Sequence, residues 1–151
     1  MGYIFSIVYQ PYDQTYGERR EDFIRVPLET ANLITNHGIE GDQKAGHRTR
    51  QLNLLSYQWL AERKKEGYKT NPGEFGEQLI IKELAVETLN PGDRLQLGDE
   101  AIIEMTRART GCLRLGTAQG IDGQLPYQYI GIMAKVITGG SIRVGDSVKV
   151  L

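Results

Sequence analysis

Pro91-Gly92-Asp93-Arg94-Leu95-Gln96-Leu97 is echoed by Val144-Gly145-Asp146-Ser147-Val148-Lys149-Val150. In each copy a Gly-Asp pair supplies turn chemistry, and an alternating run follows whose apolar residues share one face. Each therefore reads as a turn leading into a strand with one buried side, an architectural device used twice. Outward from these two, Ala101–Thr106 and Ile130–Thr138 have the same β-prone character, as do Gly2–Gln10, Gln51–Leu55 and Leu79–Lys82. The 18 glycines are spread along the chain and flank these runs. Short strands separated by glycine-rich turns predict a mainly β barrel or sandwich.

The remaining segments fit around that frame. Pro11–Arg20 reads as a loop or hairpin and Asp22–Val26 as a return strand. Gly38–Gly46 is a turn-rich loop. Ser56 opens a helix whose residues Tyr57, Leu60, Ala61 and Lys64 share a face, and Gly67 closes it. Asn71–Glu77 is a Gly/Pro loop, Glu83–Leu89 a helical turn, and Gly139-Gly140 a turn between strands. The sequence thus predicts one β-dominated domain over residues 1–151 with two or three short helices.

Composition narrows the function classes. Lys+Arg 18 against Asp+Glu 19 gives a net charge of -1, without the basic excess of a general nucleic-acid binder. A single cysteine forms no internal disulfide, no apolar run has the length of a membrane span, and the first residues read as a strand rather than a targeting signal. The expectation is a cytoplasmic protein with neither nucleic-acid nor membrane partners. One Cys with His37 and His47 does not compose a structural zinc site. No Gly-x-Gly-x-x-Gly fingerprint follows a strand, and no Gly-Lys-Ser/Thr phosphate loop is present.

Three segments carry chemistry. Gly38-Ile39-Glu40-Gly41-Asp42-Gln43-Lys44-Ala45-Gly46-His47-Arg48-Thr49-Arg50 packs cationic side chains among glycines, a composition suited to a small oxyanion and equally to a solvated loop. Asn71-Pro72-Gly73-Glu74-Phe75-Gly76-Glu77-Gln78-Leu79 places Glu74 and Glu77 in a glycine-hinged loop, as an acid/base pair or as plain surface charges. Thr106-Arg107-Ala108-Arg109-Thr110-Gly111-Cys112-Leu113-Arg114 sets the lone cysteine among three arginines. Neighbouring positive charge favours the thiolate, the nucleophilic and metal-binding form, and Thr110 and Gly111 suggest that a helix starts at Cys112. A lone cysteine is also commonly a small packing residue, and both readings stand.

In their order along the chain, Gly38-Ile39-Glu40-Gly41-Asp42, Arg50–Leu55, Gly73–Leu79, Gly92–Leu95, Thr106–Cys112 and Gly131–Asp146 resemble the MOSC domain family, named for the C-terminal domain of molybdenum-cofactor sulfurases. The resemblance covers roughly residues 21–151. It implies an antiparallel β-barrel with a few short peripheral helices, in a stand-alone short form. It also implies binding of a molybdenum–pterin cofactor, sulfur carriage for it, or both, with Cys112 as catalytic residue: molybdenum ligand or persulfide acceptor. Lys44, His47, Arg50, Glu74, Gln78 and Arg109 are the expected cofactor-binding residues, with a small anionic ligand. A cysteine desulfurase or a molybdenum-cofactor enzyme is the expected partner, and pyridoxal phosphate is expected only in a partner or fused sulfurase. Two positions depart from the family pattern: Lys44 stands where many members have His, and Gln78 where many have Asn. Two alternatives accompany this reading. One is a non-catalytic binding or adaptor barrel in which Cys112 is structural. The other is a molybdenum-dependent reductase of N-hydroxylated compounds served by partner electron carriers.

Overall fold

In a computed structural model, residues 1–11 and 25–151 are described. The expected loop over Pro11–Arg20 and return strand over Asp22–Val26 lie largely outside these residues. Among the described residues eleven strands and two helices follow one another: β1 (Gly2–Tyr9), β2 (Val26–Leu28), β3 (Thr30–Ile34), β4 (Gly38–Ile39), β5 (Leu52–Ser56), α1 (Tyr57–Lys65), β6 (Leu79–Lys82), β7 (Arg94–Leu97), β8 (Ala101–Thr110), α2 (Leu113–Gln119), β9 (Tyr129–Thr138), β10 (Gly140–Arg143) and β11 (Ser147–Val150). A 3-10 turn, Val86–Thr88, precedes β7. Seven strands close into a barrel in the order β11-β7-β8-β9-β5-β6-β1, with β1 returning to β11, while β2 extends the wall beside β1. The two Gly-Asp repeats find each other, since β7 and β11 pair antiparallel through Leu97 with Val148 and Leu95 with Val150.

The sheet is mixed, which corrects the antiparallel expectation. β5 and β6 run parallel, Leu54 opposite Leu79 and Ser56 opposite Ile81. Parallel neighbours need a long crossover, and α1 with the loop after it provides one. A three-stranded sheet, β10-β3-β4, has no counterpart in the sequence reading. Its strand β3 is short and pairs with β4 close by and with β10, more than a hundred residues later in the chain.

Side-chain alternation divides the wall into two faces. Leu52 and Leu54 of β5, Leu79 and Ile81 of β6, and Ile132, Ala134 and Val136 of β9 point inward to the main core with Ile4, Leu95, Ile103 and Val148. Leu55, Ile80 and Ile130 point outward and pack a second core with Leu60, Phe75, Leu115 and Leu125. Ser56 caps α1 as the sequence predicts, its Oγ accepting from the Trp59 N–H at 3.1 Å. The buried face of the helix differs from expectation. Leu60 is buried but Tyr57 and Lys64 are exposed, because Trp59 and Arg63 turn toward the segment before β9. There the Arg63 guanidinium lies over the Trp59 and Tyr127 rings at 4.7 and 4.5 Å. Among the described residues no helix is long and apolar enough to cross a membrane.

Gly131 lets β9 serve both cores. Its φ is 83°, and a Cβ there would overlap the Leu54 carbonyl oxygen. Gly92 has a similar φ of 94° but open space around the missing Cβ. Gly92→Ala is therefore expected to cost about 1 kcal/mol, the left-handed strain alone, and Gly131→Ala clearly more, because backbone must also move. Urea unfolding of the two variants measures the difference.

Candidate functional site

The site lies on the outer face of the barrel wall, where three strands present one row of side chains. Asn53 of β5 sits opposite Met133 of β9, which sits opposite Arg107 of β8. Their sequence neighbours Leu52, Leu54, Ile132 and Ala134 are in the main core, so alternation turns this row outward. The β4–β5 loop and the start of α2 add the remaining walls of a cleft of about 600 Å³, within the range of small-molecule and cofactor sites.

A chain of hydrogen bonds anchors the β4–β5 loop. Asp42, fully buried, accepts from the Gln10 N–H at 3.0 Å and from Gln78 Nε2 at 3.3 Å. Gln78 Oε1 in turn accepts from the Asn53 N–H at 2.8 Å. Thr106 Oγ1 donates to the Thr49 carbonyl at 2.6 Å, tying the far end of the loop to β8. His47 Nδ1 accepts from the Thr49 and Arg50 N–H groups at 3.1 and 3.2 Å, so its neutral form carries the proton on Nε2. Gln119 holds α2 by exchanging two 2.8 Å hydrogen bonds with the Lys69 backbone.

Cys112 is the residue preceding α2, as the sequence suggests. Its thiol is exposed and lines the cleft, which is inconsistent with a packing role. Lys44, His47, Arg50 and Arg109 line the same cleft. The structure does not bring in the other two expected binding residues. Gln78 is buried in the wall and committed to Asp42 and Asn53. Glu74 accepts from the Asn71 N–H at 2.8 Å and stabilises its own turn, away from the cleft lining. In their place stand Arg25, Asn53, Arg107, Arg114 and Met133. Arg107 and Arg114 were visible as neighbours of Cys112. Asn53 and Met133 depend on strand register, and Arg25 carries no local signal.

Among the described residues the lining holds five arginines and Lys44 and no carboxylate, in a chain of net charge -1. Burial lowers the pKa of Lys44 below the usual lysine value, and neighbouring Arg114, Arg25 and Arg50 add to the effect against an opposing pull from Asp42. Burial also lowers Arg25, opposed by Asp42 and Glu77, and Arg109, opposed by Glu77 and Cys112. Behind the lining, Glu77 is buried. Its carboxylate accepts from the N–H groups of Gly73 and Phe75, and Arg109 donates to the carbonyl of the same Phe75. Burial raises the Glu77 carboxyl to about 7, against the lowering effect of these N–H groups and of Arg109. Among the described residues no three His, Cys, Asp or Glu side chains converge as a metal cluster. The arrangement is suited to an anion held by guanidinium forks beside one accessible thiol.

Comparison with known proteins agrees with the architecture. The MOSC domain family model matches residues 41–149, and the chain belongs to this family. A protein described as "Reductase" from Gibberella moniliformis (strain M3125 / FGSC 7600) is 25% identical over 126 residues, which are 76% of this chain and 22% of that protein. The chain thus spans about a fifth of the length of this curated relative. The YuaD protein of Bacillus subtilis superposes with a TM-score of 0.73 over 99% of this chain and 94% of its own, at 16% identity. YiiM from Geobacillus stearothermophilus superposes with a TM-score of 0.71 over 100% of this chain and 75% of its own, also at 16% identity. These likenesses show a shared fold.

A carboxyl raised by burial stabilises the fold only while it is protonated. The Glu77 contribution is complete below its unfolded value of 4.5 and is lost as pH rises through about 7, about 3 kcal/mol in all. The unfolding free energy of the wild-type protein relative to Glu77→Gln is therefore expected to fall by that order between pH 4.5 and pH 8, measured by denaturant titration at each pH.

Proposed function

We propose that this MOSC domain chain binds a molybdenum–pterin cofactor in the arginine-lined cleft and presents Cys112 to it, as a molybdenum ligand or as the acceptor of sulfur destined for it. One observation carries the reading: the only thiol of the chain opens onto a cleft of about 600 Å³ lined by five arginines and a lysine. The donor set fits such a group. Guanidinium forks match phosphate and oxo oxygens, and a thiolate is a soft ligand. The Asn53 Oδ1, a buried acceptor with no hydrogen-bond partner among the described residues, suits an N–H of a heterocycle. Lys44, Arg50, Arg107, Arg109 and Arg114 would hold the anionic groups, and Arg25 would add to the field. When bound, the cofactor supplies a redox-active metal.

The chain's own part is to hold anions against buried cations and to place a thiol beside them. In sulfur transfer, the Cys112 thiolate attacks the outer sulfur of a desulfurase persulfide. A new S–S bond forms on Cys112 and the donor's thiolate leaves. Exposure of Cys112 allows that encounter. A second reading, molybdenum-dependent reduction with electrons from a partner protein, is favoured by the longer relative described as "Reductase".

Protein purified from a host that makes the cofactor is expected to carry molybdenum, read by elemental analysis, and Cys112→Ser to lower that content by about tenfold or more. Incubation with a cysteine desulfurase and labelled cysteine is expected to place a persulfide on Cys112. Absence of both metal and label sinks the proposal and leaves the adaptor reading; label without metal selects sulfur carriage and excludes the reductase.

A further inference from the structure

Glu77 is a buried ionisable group that the proposed function does not use. Its carboxylate and the Arg109 guanidinium grip the two sides of one residue: Glu77 accepts the Phe75 N–H, and Arg109 donates to the Phe75 carbonyl. Arg109 also lines the cleft and interacts electrostatically with both Glu77 and Cys112. The carboxylate, the Gly73–Glu77 turn, the guanidinium and the thiol therefore form one continuous unit running from the interior to the cleft.

We propose that Glu77 is a positioning residue that sets the charge of this cleft: its carboxylate, through Arg109 and the Phe75 peptide groups, tempers the cleft's attraction for anions, and proton binding at that carboxylate strengthens it. The inference rests on the cleft being an anion site, the broader half of the reading above, and not on molybdenum. Among the described residues, two cationic groups act on Glu77. Arg109 reaches it from β8, and Arg25 from the residue before β2. Asp42, in the β4–β5 loop, enters the same network by opposing the desolvation of Arg25. The turn itself contributes only N–H groups. With Glu77 ionised, part of the positive charge of Arg109 and Arg25 is neutralised from behind. Once Glu77 is protonated, that neutralisation is lost and more of the charge acts on the cleft. At the distances of a shared network in partly buried surroundings, one unit of charge changes the affinity for a dianion by about tenfold or more. The carboxyl value of about 7 puts the change near neutral pH.

A purely structural carboxylate would leave the pH dependence of ligand binding unchanged, so that dependence separates the two roles. The anion acts in return on the carboxyl: a dianion bound beside Arg109 withdraws that cation's support from the ionised form. Occupation of the cleft should therefore draw a proton onto Glu77.

The test uses inorganic sulfate, whose charge is constant from pH 6 to pH 8, with calorimetric titration of the cofactor-free protein. Sulfate affinity is expected to fall about tenfold from pH 6 to pH 8, with proton uptake at pH 7 detected by varying the buffer. Glu77→Gln should bind sulfate with a flat pH profile and no uptake. The other titratable groups at the cleft among the described residues, His47, Lys44 and Cys112, are controlled by His47→Gln, Lys44→Gln and Cys112→Ser; the first two should bind more weakly, and all three should keep the slope. A slope that survives in Glu77→Gln, or vanishes in His47→Gln, Lys44→Gln or Cys112→Ser, overturns the inference. Should Glu77→Gln fail to fold, proton uptake by the His47→Gln/Lys44→Gln/Cys112→Ser triple variant decides: uptake supports the role of Glu77 and its absence refutes it. Sulfate binding with no pH dependence defeats only this inference, whereas no sulfate binding at any pH defeats the anion cleft as well.

Discussion

The return of β1 onto β11, through Gly2 opposite Val148 and Tyr3 opposite Ser147, is the contact on which the rest of the structure depends. It converts an open, twisted sheet into a closed wall, so that none of the seven barrel strands is left as an edge within the ring. Closure needs close approach. A Cβ on Gly2 would overlap the Lys82 carbonyl oxygen of the neighbouring β6. Once the ring is shut, inward positions must fill a fixed volume, and register follows, because a one-residue slip would exchange every core side chain for an outward one. The same register aligns Asn53, Met133 and Arg107 across three strands as the floor of the cleft.

The cleft shows how a near-neutral chain concentrates charge. Guanidinium and ammonium groups repel one another and lose hydration as they are enclosed; the lowered values of Lys44 and Arg25 record both effects, and that of Arg109 the loss of hydration. Asp42 and Glu77 offset part of this from behind the lining, where a carboxylate opposes the repulsion without occupying the space an anion would take. Asp42 does so while also fixing the loop that carries Lys44, His47 and Arg50. One buried carboxylate thus anchors the loop by hydrogen bonds and opposes the charge of Arg25 and Lys44 through its field.

Much of the barrel was legible because its signals are local. The Gly-Asp turns before β7 and β11, the apolar run of β6 and the Ser56 cap of α1 each lie within a few residues and match the structure. The parallel β5–β6 pair and the β10-β3-β4 sheet were not legible. Both depend on which distant segment lies alongside, and no local pattern records that. The site divides in the same way. The thiol among arginines and the cationic Lys44–Arg50 loop stood out as composition. Glu74 and Gln78 were misplaced because a loop's sequence does not say which of its side chains turn inward. Glu77, one residue before Gln78, became the buried group facing Arg109.

By itself, then, the sequence determined a glycine-punctuated β domain, its family and the single thiol with its arginine neighbours, because turn chemistry, alternation and residue type are properties of short stretches. The tertiary structure alone decided that Arg25, Asn53 and Met133 meet that thiol, that Gln78 serves the wall and that Glu77 stands behind Arg109. These are consequences of closing the ring: strand register and loop anchoring bring together residues that lie far apart along the chain, and only their burial in one place gives them a common electrostatic field.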